Sequence, residues 1–580
     1  MIPLRYSCVK AREAMFESYF ENALIAWMNI IPVLLIGGIL YLIFNRAWVS
    51  SLLTGALCLG LGFVNFFKVL FRSEPVNFED VTLFQEALNM TGRGYDLFLE
   101  REMIYWILFV VGCTLFLFLF AGGKNPGMFR LLTLAALFVG WQVYMYHCAD
   151  KVIYEEETRN DALINKWSEN EEYYSKGLVY PFLHSYTTYG MPAPAGYSEA
   201  QAAKWLAAYD GGEIPAERQV DVICIMLEAY SDFEDLGVEG IAEPVYAPLR
   251  QIQAESISGN LITNIFAGNT INTERAFLSG YVRPPSFRGN TSAYPWFFRE
   301  QGYRAEGSHA SFAWFYNREN VTQNMGFSDY YFLNSKQVGR KSSDYYYLPR
   351  VLALYDEHCA ETEQPYFSYH LTYQGHGPYV TTWLNGWGNG FYENEASSDE
   401  AYYALNNYLG GIKSTGLELT AVLNELRGRE RPVVVVAFGD HKPWMGDANS
   451  IYEELGVNMD PGTNEGYRNY YSTPYFIWGN DAAKSTLGTD LTGDGGEIAP
   501  AFLMHVLFEA CGWTGPAYMQ ATDEIRQEVP VPTDKGVYIL ADGSIGMEEP
   551  EAAQKLSYLE HYMKTHFVYD EVASEDTASE

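Results

Sequence analysis

Four long apolar runs in the first 150 residues limit what this chain can become more than any other feature does. "ALIAWMNIIPVLLIGGILYLIF", "SLLTGALCLGLGFVNFFKVLF", "MIYWILFVVGCTLFLFLFAGG" and "MFRLLTLAALFVGWQVYMYH" are each close to the ~20 residues needed to cross a bilayer core. In succession they predict a transmembrane section over residues 1–150 with about four helices. The competing reading, helices buried in a soluble core, needs four segments of spanning length to arise by coincidence. The chain starts with a charged, amphipathic stretch and its first apolar run is too long for a signal core, so a cleavable leader is not expected. Arg46 in the first loop, and Lys124 and Arg130 around the third, favour a cytoplasmic side for both loops. The long C-terminal part then lies outside the cell. Arg5, Lys10 and Arg12 fall outside as well, against the usual charge bias, with glutamates among them.

The remainder is acidic and rich in aromatic residues. A formal net charge of -34 sits almost wholly on this part and argues against nucleic acid or anionic lipid as a surface-bound partner. Any basic residue in a pocket is therefore informative. Of seven cysteines, Cys58, Cys113 and Cys148 lie in or beside apolar spans, Cys8 is near the start and Cys224 is inside a predicted strand. Only Cys359 and Cys511 look free to pair, so no disulfide framework is implied. There is no CxxC, which removes the usual thiolate zinc sites.

Residues 151–218 read as a polar, helical linker carrying the loop "YGMPAPAGYS". A domain over 219–520 opens with "VDVICIMLEAYSDF" and later carries "RPVVVVAFGDHKPW". Each is an apolar, β-branched run of the kind buried on both faces of a parallel sheet, and each ends in acidic residues. Before the second run, "SSDEAYYALNNYLGGIKSTGLELTAVLNELRGRE" has helical spacing and reads as a crossover helix. Strand, helix and strand in that order predict a parallel α/β sheet. Residues 521–580 read as a hairpin around "KGVYILADGSIGM", a terminal helix and an acidic tail.

The carboxyl edge of such a sheet is where ligands bind, and the two strand ends supply Glu228 with Asp440 and His441. Two carboxylates and an imidazole suit Mn or Zn better than Ca, which prefers oxygen alone. Taken singly, Glu228 is equally readable as a helix cap or a solvated loop residue. "NIFAGNTINTERAFLSG" places Thr270 where a helix begins. Thr270 either caps that helix, with Glu274 in its first turn, or offers a hydroxyl that binds metal and attacks phosphorus at the helix amino terminus. "GSHASFAWFYNRENVTQNMGF" brings together His309, Tyr316 and Arg318; Arg318 is an anion anchor or the partner of a surface Glu. His376 in "YFSYHLTYQGHGPY" either exchanges a proton with a reacting oxygen or is a turn histidine.

The ordered set "MLEAYSDF", "GNTINTERAFLSG", "YNRENVTQNMGF", "YQGHGPY" and "FGDHKP", with "FRSEPVNFEDV" after the second apolar run, resembles the lipoteichoic acid synthase and phosphoglycerol transferase family of the alkaline phosphatase and sulfatase superfamily. The resemblance implies an N-terminal transmembrane section and an extracellular α/β domain with a central, mostly parallel sheet flanked by helices. It implies that Glu228, Thr270, Asp440 and His441 bind one divalent metal, manganese with zinc or magnesium as alternatives, and that Thr270 carries a covalent glycerophosphate. It gives His309, Tyr316, Arg318 and His376 to substrate binding, with His376 also assisting transfer. Tyr316 stands where relatives often have Trp, and Asn269 replaces a Lys found in some members. The implied donor is phosphatidylglycerol and the implied acceptor a glycerophosphate polymer or glycolipid at the membrane. The alternatives are a phosphoethanolamine transferase of the same superfamily, although its usual disulfides are missing here, and a catalytically silent cell-surface binding protein. A formylglycine sulfatase is set aside, because no cysteine lies in C-x-P-x-R.

Overall fold

The run of valines explains the architecture. In the computed structural model it forms β6 (Val433–Gly439), fully buried along its length, beside β1 (Asp221–Leu227). Successive side chains point to opposite faces of a strand. Val434, Val436 and Phe438 join Val222, Cys224 and Met226 in one core, while Val433, Val435 and Ala437 join Ile223, Ile225 and Leu227 in the other. A sheet with an apolar core on each face accounts for the lack of polar alternation.

The structure describes residues 22–567 apart from 73–74, 84–100, 122–124, 149–151, 159–172, 174, 189–192, 286, 288, 314–315, 317, 396, 447–449 and 534–535. The N-terminal stretch holding Arg5, Lys10 and Arg12, Lys124, and the acidic tail from 568 lie outside the described residues. The chain divides into two units, Met1–Pro192 and Ala193–Glu580.

In the first unit, α1 (Ala23–Phe44), α2 (Ala47–Arg72), α3 (Arg101–Phe120) and α4 (Gly127–Cys148) are long and apolar enough to cross a membrane, and the chain is a membrane protein on that ground. The Asn22 side chain accepts from Leu24 N to start α1, and Asn45, at φ 52°, ends it in the left-handed conformation that favours Asn.

The second unit is built on an eight-stranded sheet in the order β4-β3-β5-β1-β6-β7-β2-β8. The further strands are β2 (Ile257–Ile262), β3 (Arg304–His309), β4 (Asp329–Phe332), β5 (Tyr366–Leu371), β7 (Ser472–Gly479) and β8 (Gly493–Ile498). Among the described strands of this sheet only β7 runs against its neighbours, pairing antiparallel with β6 and β2. Four helices matter for the site: α5 (Thr270–Ser279), α6 (Arg318–Asn324), α7 (Asp344–Glu361) and α8 (Asp399–Arg427). The predicted crossover helix is α8, which delivers the chain to β6. A small sheet of β9 (Val531–Pro532), β10 (Tyr538–Ile539) and β11 (Ile545–Gly546), followed by α9 (Glu551–His566), occupies the expected hairpin and terminal helix. The segment read as a linker, 151–218, straddles the two units: its residues from Ala193 onward belong to the second, where Arg218 donates to the carbonyls of Cys511 and Leu487.

Candidate active site

Four segments reach the carboxyl edge of the sheet. Glu228 follows β1, His309 ends β3, Thr372 to His376 follow β5, and Asp440 with His441 follow β6. Backbone contacts hold them in register. Glu228 N donates to Thr372 Oγ1 at 3.0 Å, and Thr273 Oγ1 on α5 donates to the Asp440 carbonyl at 2.9 Å. Gly375 is required by proximity: a Cβ there would lie 1.8 Å from the Glu228 carbonyl oxygen.

Each candidate ligand turns one atom into the cluster. Asp440 Oδ1 accepts from the backbone N–H of Ala229 at 2.7 Å and of His441 at 2.8 Å. Asp440 Oδ2 is buried with no hydrogen-bond partner among the described residues. His441 Nδ1 lies 2.9 Å from the Lys442 carbonyl, so the ring proton sits there and the Nε2 lone pair faces the carboxylates. Nε2 is 3.3 Å from Asp440 Oδ2 and 3.6 Å from Glu228 Oε1. One ligand atom from each of Glu228, Asp440 and His441 lies within 4.8 Å of the others. Burial first and then the Asp440 charge push the Glu228 carboxyl above its ordinary range, with His441 and Arg318 opposing. Two buried carboxylates with an unsatisfied oxygen are costly unless a cation joins them. The donor set fits a divalent metal with mixed oxygen and nitrogen preference.

Thr270 joins this cluster. Its Oγ1 is 3.4 Å from His441 Nε2 and 3.5 Å from Glu228 Oε2, and the residue is 7% exposed. The cap position of α5 is held by Asn269, at φ 57° and without a side-chain cap bond. The Thr270 hydroxyl is therefore turned toward the carboxylates rather than capping its helix. With Ala267 also at positive φ, this turn carries strain of the kind found where a backbone presents a functional group.

Arg318 opens α6 and is 1% exposed. It meets Glu274 through Nη2 at 2.7 Å and Nε at 3.0 Å. Of the two readings of Arg318, pairing with a Glu is thus present, but in the interior and not at the surface. Its Nη1 is buried without a hydrogen-bond partner among the described residues, which leaves one arm for an anion. The Tyr316 ring lies 5.1 Å from the guanidinium. His309 is buried, and burial, then the Arg318 charge, hold its pKa well below the ordinary histidine value. Its Nδ1 contacts the Leu371 carbonyl at 3.1 Å, leaving Nε2 as an acceptor. His376 is exposed and stacks on Tyr373 at 4.9 Å. Its charge also acts on His309, and that of Arg318 acts on Glu228, so the two groups of residues share one neighbourhood.

Sequence reasoning missed Asp344, Gln374 and Gly411, which with Glu228 line a neighbouring concavity. They lie in three separate segments, and no motif links them.

Comparison with known proteins gives the family. The sulfatase family model matches residues 221–512, half of the 580-residue chain. The chain belongs to the sulfatase family. Among curated relatives, a Rhizobium meliloti (strain 1021) protein named for cyclic beta-1,2-glucan modification is 26% identical over 377 residues, covering 61% of this chain and 55% of its own length. The chain thus spans about half the length of the curated relative it matches. Two solved structures are similar: the Streptococcus pyogenes phosphoglycerol transferase GacH, with 20% identity, 64% of this chain, 94% of that one and a TM-score of 0.48, and the Listeria monocytogenes lipoteichoic acid synthase LtaP, with 16%, 63%, 97% and 0.45.

Proposed function

We infer that this member of the sulfatase family is a membrane-anchored transferase that moves glycerol phosphate from phosphatidylglycerol to a polymer or glycolipid hydroxyl, with its catalytic unit outside the cell. The observation that carries this reading is the Thr270 hydroxyl, set at the start of α5 within 3.5 Å of both Glu228 and His441. A hydroxyl in that setting suits covalent phosphoryl transfer. The ordered motifs from Glu228 to His441 support the glycerophosphate head group, and the name of the Rhizobium relative, tied to glucan modification, supports an acceptor that bears hydroxyls.

Glu228, Asp440 and His441, with Thr270, would hold the metal, manganese by the family resemblance. Bound there, it would lower the pKa of the hydroxyl and offset the charge of the phosphoryl group. Thr270 Oγ1 loses its proton to water and bonds to phosphorus, and the bond from phosphorus to the diacylglycerol oxygen breaks. His376, at the exposed rim, supplies the proton that this oxygen takes up. The amino terminus of α5 favours the phosphoryl charge, and the free arm of Arg318 with His309 orients it. An acceptor hydroxyl then displaces Thr270, which predicts ping-pong kinetics.

Release of diacylglycerol from defined vesicles tests the head group. Full-length protein in Mn releases it from phosphatidylglycerol and not from phosphatidylethanolamine. Release from the ethanolamine lipid alone would replace the assignment with a phosphoethanolamine transferase. Release from neither would favour a surface binding protein.

A further inference from the structure

The catalytic cluster leaves a neighbouring cavity without a task. It measures about 120 Å³ and lies between the strand-end residues Leu227, Glu228 and Thr372 and the face of α8 that carries Gly411 and Thr415. At about 30 Å³ per liquid water it has room for roughly four waters, the size of a three-carbon polyol or part of a sugar ring. Exposed His376 and Pro378 also line it, so it opens to solvent on their side.

Three observations describe what would fit. Asp344, at the start of α7, is 1% exposed and lines the cavity; its Oδ2 accepts from Thr415 Oγ1 at 2.6 Å, while Oδ1 has no hydrogen-bond partner among the described residues. Gln374 Nε2 donates to the Gly411 carbonyl and to Thr415 Oγ1, which fixes this wall. A buried polar oxygen left in that state costs on the order of 1–3 kcal/mol, and a hydroxyl group, which can both donate and accept, would recover it.

The second observation is the glycine pair in the middle of α8. A glycine inside a helix costs about 1 kcal/mol relative to alanine. Gly410 has a packing reason, because a Cβ there would lie 2.5 Å from that of Trp387. Gly411 has none: its Cβ would meet nothing nearer than Gln374 Nε2 at 4.0 Å. The side chain it lacks is the space of the cavity.

Charge supplies the third. Among the described residues no Lys or Arg lines the cavity, while Glu228 and Asp344 both do, so an anionic phosphate is disfavoured and neutral hydroxyl groups are favoured. Trp387 and Tyr379 add ring surface against which the C–H face of a polyol can rest.

The geometry points to this cavity as the acceptor subsite: it receives the neutral, polyhydroxylated end of the acceptor, a sugar ring or a terminal glycerol unit, with Asp344 Oδ1 hydrogen-bonded to one hydroxyl. This rests on the transferase reading above. Glu228 lines the cavity and also lies 3.5 Å from Thr270 Oγ1, so a second hydroxyl of the same ligand would be directed past this side chain to the phosphoryl group. Its oxygen bonds to phosphorus as the bond from phosphorus to Thr270 Oγ1 breaks. The proton it releases leaves the Thr270 oxygen protonated again.

Ligand-observed NMR on the full-length protein, with glycerol and a neutral glucose trisaccharide as probes, tests the subsite without any donor lipid. Gly411→Leu fills the cavity from a helical position that accepts a side chain, and Asp344→Asn removes the carboxylate; thermal melts confirm that both remain folded. At least one probe binds the wild type and its Kd rises tenfold or more in each variant, with trisaccharide indicating a glycosyl acceptor and glycerol a polymer end. Absence of binding of both probes to the wild type, or binding unchanged in Gly411→Leu, overturns the proposal. Diacylglycerol release is read separately: probe binding without release supports the cavity and refutes the donor reading, and release without binding refutes the cavity alone.

Discussion

Glu274 and Arg318 form a buried ion pair whose disruption gives a measurable and specific signature. Both side chains are at most 3% exposed, and two nitrogen–oxygen contacts of 2.7 and 3.0 Å join them. In Glu274→Gln the guanidinium keeps a hydrogen-bond acceptor but loses its counter-charge in a site where burial already disfavours charge. Breaking a buried pair on one side costs about 3–5 kcal/mol. The freed guanidinium should then seek another anion. Thermal melts of the full-length protein, with and without glycerol phosphate, read both effects. Glu274→Gln melts well below wild type, and glycerol phosphate raises its melting temperature more than it raises that of wild type. Replacing both partners, as in Glu274→Leu with Arg318→Met, recovers stability but abolishes protection by glycerol phosphate. Equal stability of Glu274→Gln and wild type, or equal protection of both, would refute the placing of Arg318 as an anion anchor held by Glu274.

Asp440→Asn and Glu228→Gln each lower bound manganese, measured by elemental analysis after dialysis, and remove the stabilisation of about 2.7 kcal/mol expected when metal is present at a hundredfold its Kd. Burial raises the Asp344 pKa from 3.8 to about 7, so the folded state holds a proton that the unfolded state releases. Stability at this position therefore falls as pH rises from about 4 to about 7. Asp344→Asn removes that slope and gains at most about 4 kcal/mol above pH 7, read as the difference between denaturation midpoints at pH 4 and pH 8. Thr270→Ser keeps a hydroxyl and retains measurable diacylglycerol release, whereas Thr270→Ala has none; equal rates in the two variants would remove Thr270 as nucleophile.

Much of the scaffold could be read from residues alone because its signals are local. A run of valines ending in Asp440 and His441, and a second apolar strand ending in Glu228, are enough to place three polar groups at one sheet edge. The four spans are legible for the same reason, since length and apolarity are properties of single segments. The antiparallel course of β7 is not legible in the residues, because strand direction depends on connections rather than on composition. The orientation of Thr270 was open between cap and nucleophile; what turns its hydroxyl inward is Asn269 in a left-handed conformation, which takes the cap position. Arg318 looked equally like a surface ion pair, and its buried partner Glu274 lies 44 residues away, beyond any spacing rule. Asp344, Gln374 and Gly411 converge only in three dimensions, so the cavity has no signature in sequence.

Intact mass spectrometry of the full-length protein, incubated with manganese and phosphatidylglycerol beside Thr270→Ala, tests the central claim most directly. A glycerophosphate-sized adduct on the wild type, absent from Thr270→Ala, is the predicted result and joins donor, nucleophile and covalent mechanism in one observation. An adduct that persists in Thr270→Ala, or its absence from wild type while diacylglycerol is still released, would contradict the account.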